Sequence, residues 1–263
     1  MNNSSVTKGI EIKEKFDQFY SSGHSTGKVS ITSEVEDIRI VSSRAEGARI
    51  WDVNEKECLD YVCAYGPNIL GHRHPEYIES IKSFMDVMSV CVSGAFGISE
   101  NDVIVAEKLV HHIPCAERIK FTVSGTEAVQ VAIRLARSYT GRPYVLQFKD
   151  HYHGWIDNVF GYKLDPTSKD KPHVIPKECE GDFHINRVNW SGTHGRGPGA
   201  GDGTLMLNWN DIDALETTLK SCGEQIAMIL MEPYSVNAGF RNPRPGYLER
   251  VRELCDQYGI VLC

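Results

Sequence analysis

One stretch limits the folds open to this chain more than any other. Residues 119–154 read IKFTVSGTEAVQVAIRLARSYTGRPYVLQFKDHYHG. The apolar run at its start predicts a strand over 118–123, the triplet Ser124-Gly125-Thr126 a sharp turn, and the amphipathic segment after it a helix over 126–139. Ala128, Ala132 and Ala136 fall at i, i+4 and i+8. Three small residues on one helix face let that helix lie close against a sheet. Ser124 and Thr126 are natural N-cap residues, and Gly125 permits a tight turn. A helix start with free N–H groups, two hydroxyls and the positive dipole end suits a phosphate or another anion. The same triplet would also serve as a plain cap on a buried helix. On those three residues alone, both readings stand.

From residue 119 onward strands and helices alternate. Strands are expected over 118–123, 143–148, 204–207, 226–231 and 259–263, with helices over 126–139, 211–221 and 245–258. That order predicts an α/β fold whose mostly parallel sheet carries helices on both faces. Ligands in such sheets sit at the carboxyl ends of the strands. Ser124, His151 to His153 and Glu232 all fall just past strand ends, so the topology can gather them. Residues 1–100 read as a smaller N-terminal subdomain. It holds an amphipathic helix over 8–20, strands over 48–53 and 58–62 with a turn at Asn54-Glu55, and a helix with Pro75 in its first turn. Its last segment, 89–99, is small and glycine-punctuated, hence a loop. Residues 101–263 form the large domain, beginning with a helix over 99–112. Within it 161–203 is rich in Gly, Pro and charge without periodicity, which fits either a mobile lid or a disordered surface segment.

A net charge of −7 over 263 residues argues against nucleic acid or an anionic membrane as partner. No run of eighteen apolar residues occurs, and the N-terminus lacks the apolar core of a signal peptide. Eight cysteines without a Cys-x-x-Cys pair fit reduced thiols and a cytoplasmic setting. His72 with His74, and His111 with His112, lack the spacing and the companions of a metal site, so no metal is expected.

The ordered set SGTEA, AIRLAR, Tyr152-His153-Gly154 and Met231-Glu232-Pro233, with Asn237 beyond, resembles the class III (omega) aminotransferases. Within them it is most similar to the glutamate-1-semialdehyde aminomutase branch, from about Trp51 onward apart from the insertion. The resemblance implies the fold-type I architecture of enzymes that use pyridoxal 5'-phosphate, PLP, and a lid over 161–203. It implies that Ser124, Gly125 and Thr126 hold the phosphate, and that Tyr152 stacks on the ring with His153 among the cofactor-binding residues. A plain interface aromatic remains the other reading of Tyr152. Glu232 and Asn237 match the polar neighbours of the phenolic oxygen, although Val236 stands where the family pattern has glycine. Tyr65 matches a substrate-side aromatic and reads equally well as a residue of a domain seam. Arg39, Arg44 and Arg73 are all open as partners for a substrate carboxylate. No catalytic residue is assigned. The family's Schiff-base lysine and ring-nitrogen aspartate are expected beyond Cys263, and Lys149 does not match the lysine's position.

The function so implied is PLP-dependent amino-group transfer, as aminotransferase or aminomutase, on a small amino-group donor or acceptor. This chain would supply the phosphate-binding and ring-stacking half. Because the family's counterpart of 89–99 reaches a neighbouring subunit, a homodimer is expected, or a hetero-oligomer with a chain carrying the C-terminal half. A noncatalytic binding or regulatory half and a truncated fragment are the alternatives.

Overall fold

A computed structural model describes residues 3–19, 40–88, 97–149, 151–160 and 203–263. The chain divides into two units, Met1–Ala116 and Glu117–Cys263, so the helix expected over 99–112 goes with the first. The segments 89–96 and 161–202, which include most of the expected subunit loop and lid, lie outside the described residues.

The first unit contains helix α1 (Asn3–Phe19) and an antiparallel sheet of β1 (Ser42–Glu46), β2 (Arg49–Asp52) and β3 (Glu57–Leu59), in that order. Two strands were expected and three form. The extra one, β1, is SSRAE with four of its five residues exposed, so no apolar alternation announced it. Between β2 and β3, Asp52 Oδ1 accepts the N–H groups of Asn54 and Lys56, each at 2.8 Å, which sets the turn. Helix α2 (Pro75–Val87) starts with proline, whose missing N–H has no intrahelical partner to lose. Helix α3 (Glu100–His112) starts on Ser99, which exchanges hydrogen bonds with Asp102 as a capping box.

Just after β3 the backbone turns left-handed over Cys63, Ala64 and Tyr65, with φ of 49°, 54° and 64°. None is glycine, so the conformation is strained. Asp60 holds it. One carboxylate oxygen accepts the Val62 and Cys63 N–H groups at 2.9 Å, and the other lies 2.7 Å from His72 Nε2.

In the second unit, helix α4 (Gly125–Thr140) leads to β4 (Tyr144–Phe148), β5 (Thr204–Leu207), α5 (Ile212–Cys222), β6 (Ile226–Leu230), α6 (Tyr247–Tyr258) and β7 (Val261–Leu262). The strands pair in the order β5-β4-β6-β7, every pair parallel. Period-two alternation sorts their side chains. Val145, Met228 and Leu230 turn toward α4 and pack with Ile133 and Ala136. Leu146, Phe148, Leu207 and Ile229 turn the other way and pack with Leu215, Leu219, Val251 and Leu254 of α5 and α6. Both faces are covered, as a parallel sheet requires. At the amino ends of the strands, Arg142 Nη1 donates to the carbonyls of Gly223, Ile226, Tyr258 and Gly259, at 2.8 to 3.4 Å.

Two expected strands change. Residues 118–123 form none: Val123 is 96% exposed, Phe121 is exposed as well, and among the described residues no strand runs alongside. An apolar run becomes a strand only where a neighbouring backbone pairs with it. The strand expected over 259–263 shortens to two residues, because Gly259, at φ 62°, is the left-handed C-cap of α6.

Ile229 is fully buried in the middle of β6. Ile229→Ala is expected to cost about 2–5 kcal/mol, from lost transfer energy plus the cavity left behind. Urea unfolding followed by circular dichroism measures this, and a midpoint unchanged from the parent would contradict the packing described.

Candidate functional site

The site is built first from the start of α4. Ser124 is extended, at φ −151° and ψ 157°, and its Oγ accepts the Glu127 N–H at 3.2 Å. The Glu127 carboxylate reaches back to the Val123 N–H at 2.9 Å. That leaves the N–H groups of Gly125 and Thr126 and the Thr126 hydroxyl without a partner among the described residues. A Cβ added at Gly125 would meet nothing within 4 Å among the described residues, so the start of the helix is open there.

The segment after β4 presses onto this turn. Gly154 has φ +87°, and a Cβ there would sit 2.6 Å from Thr126 Oγ1 and 2.9 Å from its Cα. Only glycine passes so close, which brings Tyr152-His153-Gly154 against Ser124-Gly125-Thr126. The third element comes from the end of β6. Glu232 Oε1 accepts the Tyr152 N–H at 2.7 Å and the Asn237 side-chain amide at 3.1 Å, while Oε2 accepts the Val236 N–H at 2.9 Å. All seven residues expected at a cofactor site in this unit therefore lie on three adjoining segments. Val236, which stands where the family pattern has glycine, is the residue that donates its N–H to Glu232 Oε2.

Side chains alternate past the end of β4. His151 and His153 are buried at 8% and 7% exposure, whereas Tyr152 between them is 42% exposed with its ring 6.3 Å from Phe160. His153 Nε2 has no hydrogen-bond partner among the described residues. Burial, reinforced by the neighbouring His151 and only partly opposed by Glu232, pushes its pKa down from 6.5 to about 4. Near neutral pH it is an uncharged imidazole. The arrangement can thus receive an anion at an open helix start, beside a half-exposed aromatic ring and a fixed carboxylate.

Other expected residues stand elsewhere. Tyr65 lies in the first unit, 77% exposed on the left-handed turn. Arg44 lies over the Trp51 ring at 3.7 Å and 3.5 Å from Glu55, Arg73 is left-handed at φ 55°, and Arg39 is outside the described residues. The Lys149 N–H continues the ladder to the Leu207 carbonyl at 2.8 Å. Among the described residues no three His, Cys, Asp or Glu side chains gather as metal ligands, and no helix is long and apolar enough to cross a membrane. Sequence patterns did not single out Trp209 and Tyr247, which pack edge to face at 4.8 Å beside His151. Trp209 lies two residues past β5 and Tyr247 is the first residue of α6, positions that carry no pattern of their own.

A parallel sheet covered by helices, with these segments at its carboxyl edge, is the architecture of the fold-type I transferases. The profile that describes class-III aminotransferases matches residues 30–263, and the chain belongs to that family. It is 35% identical over 224 residues to glutamate-1-semialdehyde 2,1-aminomutase 1 of Lachnoclostridium phytofermentans, covering 83% of this chain and 46% of that protein. To the aminomutase of Pelotomaculum thermopropionicum it is 36% identical over 220 residues, with the same coverage. Among solved structures, an omega-transaminase from Sphaerobacter thermophilus superposes with a TM-score of 0.75 at 29% identity, over 97% of this chain and 53% of that one. A glutamate-1-semialdehyde aminomutase from Pseudomonas aeruginosa shares the fold with a TM-score of 0.70 at 22% identity, over 97% of this chain and 51% of that one. The chain spans about half the length of the curated relatives it matches, 46% in the first case.

The buried His153 carries a pH signature. Between pH 6.5 and about 4 the unfolded chain binds a proton there that the folded chain does not. Its contribution is therefore fully present above pH 6.5 and is lost as pH falls toward 4, by about 3 kcal/mol at most. Urea midpoints measured across this range should fall less steeply in His153→Gln than in the parent. Parallel profiles would show that His153 is not desolvated as described.

Proposed function

We propose that this chain forms the phosphate-binding and ring-facing half of a pyridoxal 5'-phosphate site in an enzyme of amino-group transfer. The observation that carries the proposal is the open start of α4, where two N–H groups and the Thr126 hydroxyl lack partners among the described residues and Gly154 is pressed alongside. Those donors fit a phosphate, and the dipole of a sixteen-residue helix favours its charge. Gly125 and Thr126 bind it through N–H and O–H, and Ser124, whose Oγ accepts the Glu127 N–H, keeps its O–H to donate to the phosphate. Tyr152 offers its exposed ring to the flat face of the cofactor. Glu232 and Asn237, already bonded to each other, present polar atoms beside the phenolic oxygen. The neutral His153 adds no positive charge against the ring.

When bound, PLP supplies the electron sink that makes an amino acid's α-proton removable. The residues of this chain orient and hold the group, and none of them is assigned to covalent attachment or proton transfer. The relatives named as aminomutases favour a small molecule carrying both an amino group and a carbonyl, with transfer inside one substrate. Tyr65 is proposed on the substrate side. The complete assembly is proposed as a homodimer, or as a hetero-oligomer with a chain carrying the remaining half of the fold.

Pyridoxamine 5'-phosphate is the suitable probe, since it has no aldehyde to label surface lysines. Fluorescence titration of residues 1–263 should show saturable binding. Thr126→Val should weaken it about tenfold, the loss of one charge-assisted hydrogen bond. Tyr152→Phe should bind as the parent does, and Tyr152→Ala about 1 kcal/mol more weakly. Equal affinity in the parent, Thr126→Val and Tyr152→Ala would overturn the proposal.

A further inference from the structure

His151 stands just beyond β4, buried at 8% exposure, and no role in holding the cofactor falls to it. Its Nδ1 accepts the backbone N–H of Glu232 at 3.0 Å. One residue further on, the Tyr152 N–H donates to Glu232 Oε1 at 2.7 Å. The two bonds are reciprocal: side chain accepts from backbone in one direction and in the other. They clasp chain segments that are 80 and 81 residues apart in sequence.

The accepting role fixes the state of the ring. A nitrogen that receives an N–H carries no proton, so the neutral imidazole has its proton on Nε2. A proton on Nδ1 would set two donors head to head across 3.0 Å. Aromatic neighbours keep the ring in this orientation: Trp209 at 4.6 Å, Phe148 at 5.6 Å and His153 at 6.0 Å between centroids. Packing among them would suit any apolar side chain of similar size. Accepting the Glu232 N–H would not.

We propose that His151 is a positioning residue of the cofactor site. As the neutral imidazole it anchors the Glu232 backbone, so that the Glu232 carboxylate holds the Tyr152 N–H and the Asn237 amide in place. Tyr152 and Asn237 then take their positions from one acceptor just past β4 and one carboxylate just past β6. The consequence for cofactor affinity rests on the function proposed above, whereas the clasp is testable without cofactor.

The test uses residues 1–263 with 15N label. In the parent, the His151 Nδ1 resonance should lie in the unprotonated range and couple to the Glu232 amide; a protonated Nδ1 overturns the proposal before any variant is made. His151→Leu keeps the volume and removes the acceptor, and His151→Asn places an oxygen near the Nδ1 position. Amide exchange at Glu232 should quicken about tenfold in His151→Leu, the loss of one hydrogen bond, and return close to the parent rate in His151→Asn. A role in packing alone predicts the reverse order, with leucine the better substitute, and that order would overturn the proposal. Affinity for pyridoxamine 5'-phosphate should show the same pattern. If the parent does not bind this probe, the function proposed above fails, and the exchange rates alone decide the clasp.

Discussion

The parallel ladder between β4 and β6 sets the level at which both strands stop. Gln147 lies opposite Leu230, so the chain leaves the sheet at His151 and at Glu232 side by side. Parallel strands necessarily end on the same edge, and here two buried faces hold them there. Residues remote in sequence can then share hydrogen bonds without long loops to position them. Two hydrogen bonds join Glu232 to the segment after β4 for this reason, and two more reach it from Val236 and Asn237 in its own loop, each contributing about 1 kcal/mol net.

The second constraint is close approach. Gly154 passes Thr126 at a distance that no other residue permits, and this contact seats the β4 segment on the start of α4. An open helix start would attract an anion anywhere on a surface. Here a half-exposed aromatic ring and a fixed carboxylate lie beside it, which is why the proposed ligand is an anion attached to a flat polar ring. The uncharged His153 belongs to the same logic, because desolvation keeps a positive charge away from the site without removing the side chain.

Much of this was legible in the residues. The alternation of strands and helices declared the parallel sheet, and Ser-Gly-Thr with Tyr-His-Gly declared the two segments that meet. Of the three alanines expected against the sheet, Ala132 and Ala136 pack there while Ala128 is exposed. What stayed hidden depended on partners distant in sequence. The polar strand β1 forms because β2 lies beside it, and the apolar run 118–123 forms no strand because no described strand does. The left-handed turn at Cys63 to Tyr65 contains no glycine, and it stands on the Asp60 carboxylate. The place of His151 just past a strand end was legible, but its bond to the Glu232 N–H was not, since that partner lies 81 positions away.

The start of α4, with the segment after β4 against it, is the proposed binding place of a phosphorylated pyridine. The direct measurement is an amide spectrum of 15N-labelled residues 1–263 titrated with pyridoxamine 5'-phosphate. Saturating shifts should be largest at Gly125 and Thr126, with smaller ones at Tyr152, Gly154 and Asn237. Saturating shifts that leave Gly125 and Thr126 unmoved would contradict the account.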